Sequence, residues 1–460
     1  MEIQWQRVVT GSVGALLVLL LWLALPAGSV SGNSDSFPYE TDQIVIKLEQ
    51  GFSVEEVNAT YGTTTIRPLL NSAGIYLLQR PDGFSAEALV AQMNDDSRLL
   101  YAELNYIGVA PEAFSADSFA WPDGGAEGTE DSEEDGATSL SLSPRATFEW
   151  EPDPGDSARY YHQPAVEALN LDQAHVYHTG TGVTVAVLDT GVDLNHGALS
   201  SSLSAGYDFV DDDPWPQDSA NGLDDDGDGY VDEVTGHGTH VAGIIHLVAP
   251  DSRIMPLRVL DSDGQGNSFV IAEAMLYAVD QGAEVINMSL GTLVRSVFLE
   301  DVLQQVTAGG AVVVGASGNL NSDAPQYPAA SACALGITAL NHMFVRDELA
   351  NYGTWVDLSA PGERIYSTYP GGDYAWWSGT SMATPFVAGQ VALLHGLDGT
   401  LSPAEIGRLI AATAHSTDQQ NPDYAGLLGA GRVDIGASLA YLAANPVPTS
   451  APDLLDGCSS

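Results

Sequence analysis

Residues 183–191 read Val-Thr-Val-Ala-Val-Leu-Asp-Thr-Gly, a mostly apolar run that ends on a carboxylate and a turn. A short apolar run bounded by turn residues predicts a strand that is buried on both faces. Further apolar runs and helix-like segments alternate after it, at 253–260, 268–281, 284–290, 299–308 and 311–315. This alternation predicts an α/β fold of three layers, in which helices cover both faces of a mostly parallel central sheet.

The 460 residues are too many for one ordinary core and predict several folding units. Residues 37–111 alternate strand, helix, strand, helix and strand, which predicts a small α/β module. Residues 112–156 are acidic and rich in Ser and Pro, so they cannot bury enough apolar surface to fold. This composition predicts a flexible linker. The large domain is expected at 157–444, and the tail at 445–460 is expected to be disordered.

The N-terminus has the composition of a targeting segment. Arg7 precedes an apolar stretch at 8–25, and small residues follow it up to Ser31. This order predicts a secretory signal peptide over 1–31, and therefore an extracellular or periplasmic protein. An uncleaved membrane anchor formed by 8–25 is the alternative, because the stretch is close to the shortest length that spans a bilayer.

The charge balance is strongly acidic, with 61 acidic residues against 14 basic ones and a net charge of −47. Nucleic acid is excluded as a partner, because its phosphates would be repelled. The only cysteines are Cys333 and Cys458, which excludes a disulfide-rich scaffold. Cys333 lies in an apolar run, so a buried thiol is favoured over a bridge between the two.

Four polar side chains follow apolar strands or begin apolar helices, and they are the candidates for chemistry: Asp189, His237, Asn319 and Ser381. The carboxyl ends of parallel strands meet at one edge of a sheet, where ligands bind. A serine hydroxyl is a weak nucleophile, so a histidine must accept its proton and a carboxylate must orient that histidine. An amide such as that of Asn319 can donate to the oxyanion that then forms. Taken singly, Asp189 and Asn319 are also typical turn residues.

A metal site is the competing interpretation of the histidines, since His237, His240 and His246 are close in sequence. Zinc proteases place two histidines four positions apart with a glutamate between them. Here His237 and His240 are three positions apart without a glutamate, so His240 and His246 are interpreted as structural.

Three motifs carry a family resemblance: Val-Leu-Asp-Thr-Gly-Val at 187–192, Gly-His-Gly-Thr-His-Val-Ala-Gly at 236–243 and Gly-Thr-Ser-Met-Ala-Thr-Pro at 379–385. In this order they resemble the subtilisin-like serine proteases, the subtilases of peptidase family S8. The resemblance spans roughly 182–431. It implies a serine endopeptidase that works through an acyl-enzyme, with Asp189 as the acid, His237 as the base, Ser381 as the nucleophile and Asn319 as the oxyanion donor.

The resemblance also implies how a substrate binds. An extended polypeptide is expected to lie as an added strand between the segment Ser289, Leu290 and Gly291 and the segment that contains Gly264 and Gly266. For Gly264 and Gly266, a role as ordinary turn residues is the alternative. The module at 37–111 resembles a pro-domain, which implies an inhibitor and folding assistant released by self-cleavage; an independent accessory domain is the alternative. We expect a monomer without an organic cofactor.

An acidic loop precedes His237 and predicts a calcium site. Its carboxylates alternate at Asp224, Asp226 and Asp228, with Asp232 further on, in a pattern that partly matches an EF-hand loop. A solvated acidic loop is the alternative. Many subtilases also bind calcium through an aspartate in a His-Pro-Asp-Leu sequence, but this chain reads His-Gly-Ala-Leu at 196–199, so that ligand is missing.

Two other classes of function stay open at this point. A catalytically inactive binding protein could keep the same fold, although the intact Asp189, His237 and Ser381 set argues against it. A metal-dependent hydrolase could use the histidine cluster, although the histidine spacing argues against that.

Overall fold

The computed structural model of the chain describes residues 38–113, 151–152 and 157–458. The predicted signal peptide, its alternative as an anchor and most of the predicted linker lie outside the described residues. Within the described ranges, no helix is both long and apolar enough to cross a membrane.

The leading module, residues 38–111, contains β1 (Tyr39–Leu48), α1 (Val54–Tyr61), β2 (Thr64–Pro68), β3 (Ile75–Gln79), α2 (Ala86–Met93) and β4 (Leu99–Val109). Its sheet is antiparallel in the order β2-β3-β1-β4. Both helices pack on one face of the sheet, where Val57 and Leu89 belong to the same buried cluster as the strand residues Ile44 and Ile46. The predicted order of elements lacked β2, whose mostly exposed residues show no apolar alternation.

The remaining elements are β5 (Glu151–Pro152), α3 (Ser157–Tyr161), α4 (Pro164–Ala168), α5 (Leu171–Ala174), β6 (Thr184–Asp189), β7 (Tyr207–Asp208), α6 (His237–Val248), β8 (Arg253–Arg258), β9 (Gln265–Asn267), α7 (Ser268–Asp280), β10 (Val285–Met288), α8 (Val297–Ala308), β11 (Val312–Ala316), β12 (Ala334–Leu340), β13 (Leu358–Pro361), β14 (Ile365–Tyr369), β15 (Asp373–Trp377), α9 (Thr380–Leu397), α10 (Pro403–Thr413) and α11 (Ile435–Ala444).

Seven strands form the parallel central sheet, in the order β13-β12-β11-β10-β6-β8-β7. Alternate residues of β6 face opposite layers, because successive side chains of a strand point to opposite faces. Val185 and Val187 pack in the cluster that contains α6 and α9, whereas Ala186 and Leu188 pack in the cluster that contains α7 and α8. The predicted three-layer α/β fold is therefore confirmed.

The leading module docks on α7 and α8 through its sheet. Two side chains of β4 cap these helices: Asn105 Oδ1 accepts from Phe269 N at 3.0 Å, and Glu103 Oε2 accepts from Phe298 N at 2.9 Å. Lys47, the single lysine of the chain, forms an ion pair with Asp301 of α8 at 2.6 Å. Strand β9 then continues the module's sheet by pairing with β4 in antiparallel register.

The C-terminal tail is folded as far as Cys458, so the prediction of a disordered tail was wrong for 445–458. Leu455 is 4% exposed within the main core, and Asp453 pairs with Arg408 of α10 at 2.6 Å. Cys458 forms a disulfide with Cys333, with a Cα–Cα distance of 4.8 Å. The favoured interpretation of Cys333 as a buried thiol was therefore wrong, because the packed tail brings the second cysteine to it.

Candidate active site

Three candidate residues meet at the carboxyl edge of the central sheet, and all three are fully buried. Asp189 is the last residue of β6, His237 is the first residue of α6, and Ser381 is the second residue of α9. The Nδ1 atom of His237 lies 2.7 Å from Asp189 Oδ1. This contact orients the ring and leaves Nε2 directed away from Asp189, towards Glu112 Oε2.

Glu112 occupies the space between the imidazole and the serine. One of its oxygens, Oε2, lies 3.1 Å from His237 Nε2 and accepts a hydrogen bond from Ser381 Oγ at 2.7 Å. The side chain of Glu112 is 2% exposed. Glu112 Oε2 therefore bridges His237 Nε2 and Ser381 Oγ, the two atoms between which a proton would have to pass.

The second oxygen of Glu112 is held by Asn319, whose Nδ2 donates to Oε1 at 3.0 Å. The amide cannot turn freely, because its Oδ1 accepts from Thr380 N and from Thr380 Oγ1, each at 3.0 Å. Gly379 adopts φ +147°, and a Cβ atom there would collide with Glu112 Oε1 and approach Asn319 Nδ2. Glycine at this position therefore keeps open the space in which a negative oxygen is bound.

The charges around His237 change its protonation. Burial lowers the pKa of His237, but the neighbouring carboxylates of Asp189 and Glu112 outweigh burial and raise it to about 10. An imidazole with this pKa is protonated at neutral pH and cannot accept a proton from Ser381. With Glu112 in place, the geometry is that of a blocked site.

The segment that leads to Glu112 lies in a cleft as an added strand. Gly108 pairs with Gly266, and Ala110 N donates to Gly264 O at 2.9 Å. On the other side, Val109 exchanges two backbone hydrogen bonds with Gly291, at 2.9 and 2.8 Å. The structure thus brings together the predicted substrate-binding glycines on both sides of one extended segment, and that segment belongs to this chain.

The other two residues of the predicted substrate segment line the same cleft. Ser289 Oγ donates to Ser381 O at 2.9 Å, which ties the segment to the start of α9. Leu290 lines an apolar cavity beside Gly108, together with Ile271 and Met288.

The remaining histidines of the motif have structural partners. His240 Nε2 lies 3.1 Å from Ile365 O and 3.2 Å from Ala375 O, and burial lowers the pKa of His240 to about 3. His246 Nδ1 lies 3.2 Å from Ser202 Oγ. These contacts support the interpretation of both as structural residues.

The acidic loop gathers carboxylates in two overlapping groups. One contains Asp224, Asp226 and Asp263, the other contains Asp226, Asp228 and Glu233, and the oxygens within each group lie within 4.8 Å of one another. Burial and the charges of its neighbours raise the pKa of Glu233 to about 7.

The predicted ligand Asp232 belongs to neither group. Its Oδ1 accepts from Asn221 N at 2.7 Å and its Oδ2 accepts from Gly222 N at 3.0 Å, so it closes the base of the loop. Oxygen donors from carboxylates are the ligands that calcium prefers. The donor set that fits calcium therefore contains Glu233 and Asp263 in addition to Asp224, Asp226 and Asp228, and it does not contain Asp232.

Three residues of these sites were missed from the sequence: Glu112, Glu233 and Asp263. Glu112 was assigned to the flexible linker, although it follows β4 and lies in a turn in which Ala113 N donates to Ala110 O at 2.9 Å. The signal that could have found Glu112 is its position directly after the last strand of the leading module, because a strand that lies in the cleft up to Val109 brings the residues after it close to Ser381.

Residues 180–431 match the model of the subtilase family, and residues 26–105 match that of the fervidolysin N-terminal prodomain. Thermitase from Thermoactinomyces vulgaris is 40% identical over 252 residues, which cover 53% of this chain and 84% of thermitase. Subtilisin BL from Lederbergia lenta is 37% identical over 261 residues, 55% of this chain and 90% of that protein.

Among solved structures, this chain resembles fervidolysin from Fervidobacterium pennivorans, which is described as a keratinolytic enzyme related to subtilisin. The TM-score is 0.68 at 23% sequence identity, over 89% of this chain and 62% of that one. At this level of identity the likeness establishes a common fold, and it covers both the leading module and the large domain.

Proposed function

Because the chain belongs to the subtilase family of serine proteases and carries a fervidolysin-like prodomain, we propose that it is a secreted endopeptidase made as a self-processing zymogen. The observation that carries this proposal is the contact of one Glu112 oxygen with both His237 Nε2 and Ser381 Oγ. A carboxylate from the end of the prodomain occupies the place in which a substrate carbonyl would be attacked.

The chemistry starts once Glu112 has left. His237 Nε2 removes the proton of Ser381 Oγ as the oxygen attacks a peptide carbonyl, and Asp189 stabilises the imidazolium that forms. Asn319 Nδ2 donates to the oxyanion. Collapse of the tetrahedral intermediate breaks the C–N bond, and His237 gives its proton to the leaving amine. Water then attacks the acyl-enzyme by the same route, with His237 again as the base.

The substrate is proposed to take the place of segment 107–110. Backbone hydrogen bonds to Gly264, Gly266 and Gly291 recognise any extended chain, so they suit hydrolysis within polypeptides of varied sequence. The prodomain uses the same bonds, which makes it a competitor of the substrate as long as it stays docked.

Three features support latency of the full-length chain. The oxyanion donor Asn319 is engaged, the nucleophile Ser381 donates to a carboxylate, and His237 is held protonated by two negative neighbours. Self-cleavage beyond Glu112, in or near the acidic segment 112–156, would let the prodomain leave together with Glu112 and so free the site.

Calcium is proposed to be held by Asp224, Asp226, Asp228, Glu233 and Asp263. The ion would supply positive charge that offsets the repulsion among these carboxylates. Asp263 also accepts hydrogen bonds from the backbone of Asp225 and Asp232, and Gly264 of the substrate cleft follows it directly. The expected effect of the ion is therefore on the rigidity of the loop and of the cleft edge, and the chemical step does not pass through it.

The first experiment compares the purified wild-type chain with Ser381→Ala, each incubated with casein in calcium and followed on a gel. We expect the wild type to lose its prodomain and digest casein, while Ser381→Ala stays full length and inert. Equal digestion by both proteins would exclude Ser381 as the nucleophile and favour a metal mechanism. Absence of digestion by both would favour a binding scaffold on the same fold.

A further inference from the structure

A buried carboxylate that the proposed chemistry does not use lies behind the catalytic pair. Asp218 is 3% exposed and belongs to a loop that pairs with the residues after Asp189. Val192 N donates to Pro216 O at 3.0 Å, and Asp218 N donates to Val192 O at 3.2 Å. The loop is therefore fixed to the end of β6, where the catalytic acid stands.

Asp218 accepts four hydrogen bonds, which is the full capacity of a carboxylate in this arrangement. Its Oδ1 accepts from Gly236 N at 2.9 Å and from Thr190 Oγ1 at 3.3 Å. Its Oδ2 accepts from Thr239 N at 3.1 Å and from Thr239 Oγ1 at 2.6 Å.

These donors surround the two catalytic residues in the sequence. Thr190 follows Asp189, and its backbone N donates to Asp189 Oδ1 at 2.8 Å. Gly236 and Thr239 lie before and after His237, at the first turn of α6. One carboxylate thus connects the strand that carries the acid to the helix that carries the base.

The start of α6 explains why a charged acceptor is needed there. The first backbone N–H groups of a helix have no partner within the helix, and they favour a negative charge. Gly236 stands at the capping position and has no side chain to accept them. Asp218 supplies that cap from a different loop, although it is 18 positions from Gly236 in sequence.

We propose that Asp218 is a positioning residue for the reaction, which sets the distance and orientation between Asp189 and His237 by capping α6 from the neighbouring loop. This inference rests on the proposed peptidase function. Without the carboxylate, the first turn of α6 and the imidazole on it would shift relative to the acid, and a displacement of about 1 Å is enough to lower a rate by about 10²-fold.

Protonation of Asp218 provides a signature that a purely structural residue would not have. Burial raises the pKa of Asp218 to about 6; the bonds from Thr239 and Gly236 oppose this rise, and the charge of Asp189 adds to it. The ionisable groups whose charges act on Asp218 or feel its charge are Asp189 and Tyr369. Below pH 6 the protonated carboxyl can no longer accept all four bonds, so the active form requires both Asp218 and His237 to be deprotonated.

The test uses self-processed enzyme from the full chain, with rates normalised to the number of active sites titrated by a phosphonylating agent. For Asp218→Asn we expect kcat to fall about 10- to 100-fold with KM changed less than threefold. The slope of log kcat/KM against pH should approach 2 below pH 6 in the wild type and 1 in the variant.

A second pair of variants covers the case in which Asp218→Asn does not fold. Thr239→Val removes the 2.6 Å hydroxyl bond, and Thr239→Ser keeps it, so we expect about a tenfold loss of kcat only for Thr239→Val. Asp218→Asn with kcat within threefold of wild type and an unchanged acid slope would overturn the proposal, as would equal losses in both Thr239 variants. A wild type without Ser381-dependent hydrolysis would instead refute the proposed function.

Discussion

Replacing Glu112 with alanine removes the carboxylate that joins Ser381, His237 and Asn319 in the full-length chain. A methyl group can accept none of these three hydrogen bonds. The serine can then return to the imidazole, and the amide of Asn319 opens to an incoming carbonyl. We expect the full-length variant to react faster with a serine-directed phosphonylating agent and to release its prodomain sooner.

The expected size of the effect follows from the protonation of His237. At pH 8 a pKa of about 10 leaves about 1% of the imidazole neutral, whereas the ordinary value of 6.5 would leave about 97%. Asp189 supplies part of the rise and stays in the variant, so the neutral fraction should increase by less than this full ratio. The rate of adduct formation at pH 8 should therefore rise about 10- to 100-fold.

Intact mass spectrometry measures this directly, because the full-length chain and the processed enzyme differ in mass and only the adduct on the full-length chain is counted. Glu112→Gln should give a smaller increase, since its amide oxygen can still accept from Asn319 while the negative charge beside His237 is lost. Glu55→Ala is the matched control: it removes an exposed glutamate of the same prodomain, and its rate should equal that of the wild type.

Equal adduct rates in Glu112→Ala and wild type would contradict the blocking role of Glu112. A rise in Glu55→Ala as large as that in Glu112→Ala would attribute the effect to the total charge of the prodomain, which also refutes the reasoning.

Three further outcomes are expected. Asn319→Ala should lower kcat of the processed enzyme by about 10²- to 10³-fold with little change in KM, which is the range known for the equivalent donor in a subtilisin. A loss below threefold in steady-state kinetics would contradict its role. Glu233→Gln should reduce the rise in Tm that calcium causes, whereas Asp232→Asn should keep most of that rise. A larger loss of the calcium effect in Asp232→Asn than in Glu233→Gln, measured in thermal melts, would instead favour the ligand set predicted from sequence, which contains Asp232. Cys458→Ser should lower the free energy of unfolding by about 2–4 kcal/mol in denaturant titrations, because the bridge closes a loop of 125 positions. An unchanged midpoint would mean that the bridge does not stabilise the domain.

The parts of the fold that the sequence predicted are those with local signals. The apolar run ending at Asp189 is buried on both faces in the structure, and such a run needs no knowledge of distant residues. The positions of Asp189, His237 and Ser381 follow from strand ends and helix starts, which turn residues mark in the sequence. Parallel strands then bring these positions to one edge of the sheet.

The parts that the sequence missed depend on contacts between distant segments. Cys458 meets Cys333 only because the tail packs on the core through Leu455, and the Pro- and Ser-rich composition of the tail hides that apolar anchor. Asp263 joins the acidic loop from beyond α6, so no spacing within the loop could indicate it. Strand β2 was missed for a different reason, since it forms an edge whose side chains are mostly exposed.

Asp189 and Glu112 contact the imidazole of His237, and Asp218 bonds to the residues on either side of it in the first turn of α6. The way in which each carboxylate is held decides which of them can leave. Asp189 is held within β6 and bonds to Thr190 N, and Asp218 is held by four donors. Glu112, in contrast, stands on a turn after the last prodomain strand, and its bonds all run to the three groups that it blocks. Loss of Glu112 would therefore remove one negative neighbour of His237 and leave the hydrogen bonds of Asp189 and Asp218 in place. The pKa of the imidazole then falls towards the range in which it can act as a base, and the same event frees Ser381 and Asn319. In the proposed activation by prodomain release, the change in charge at His237 and the opening of the site would both come from the departure of one side chain, Glu112.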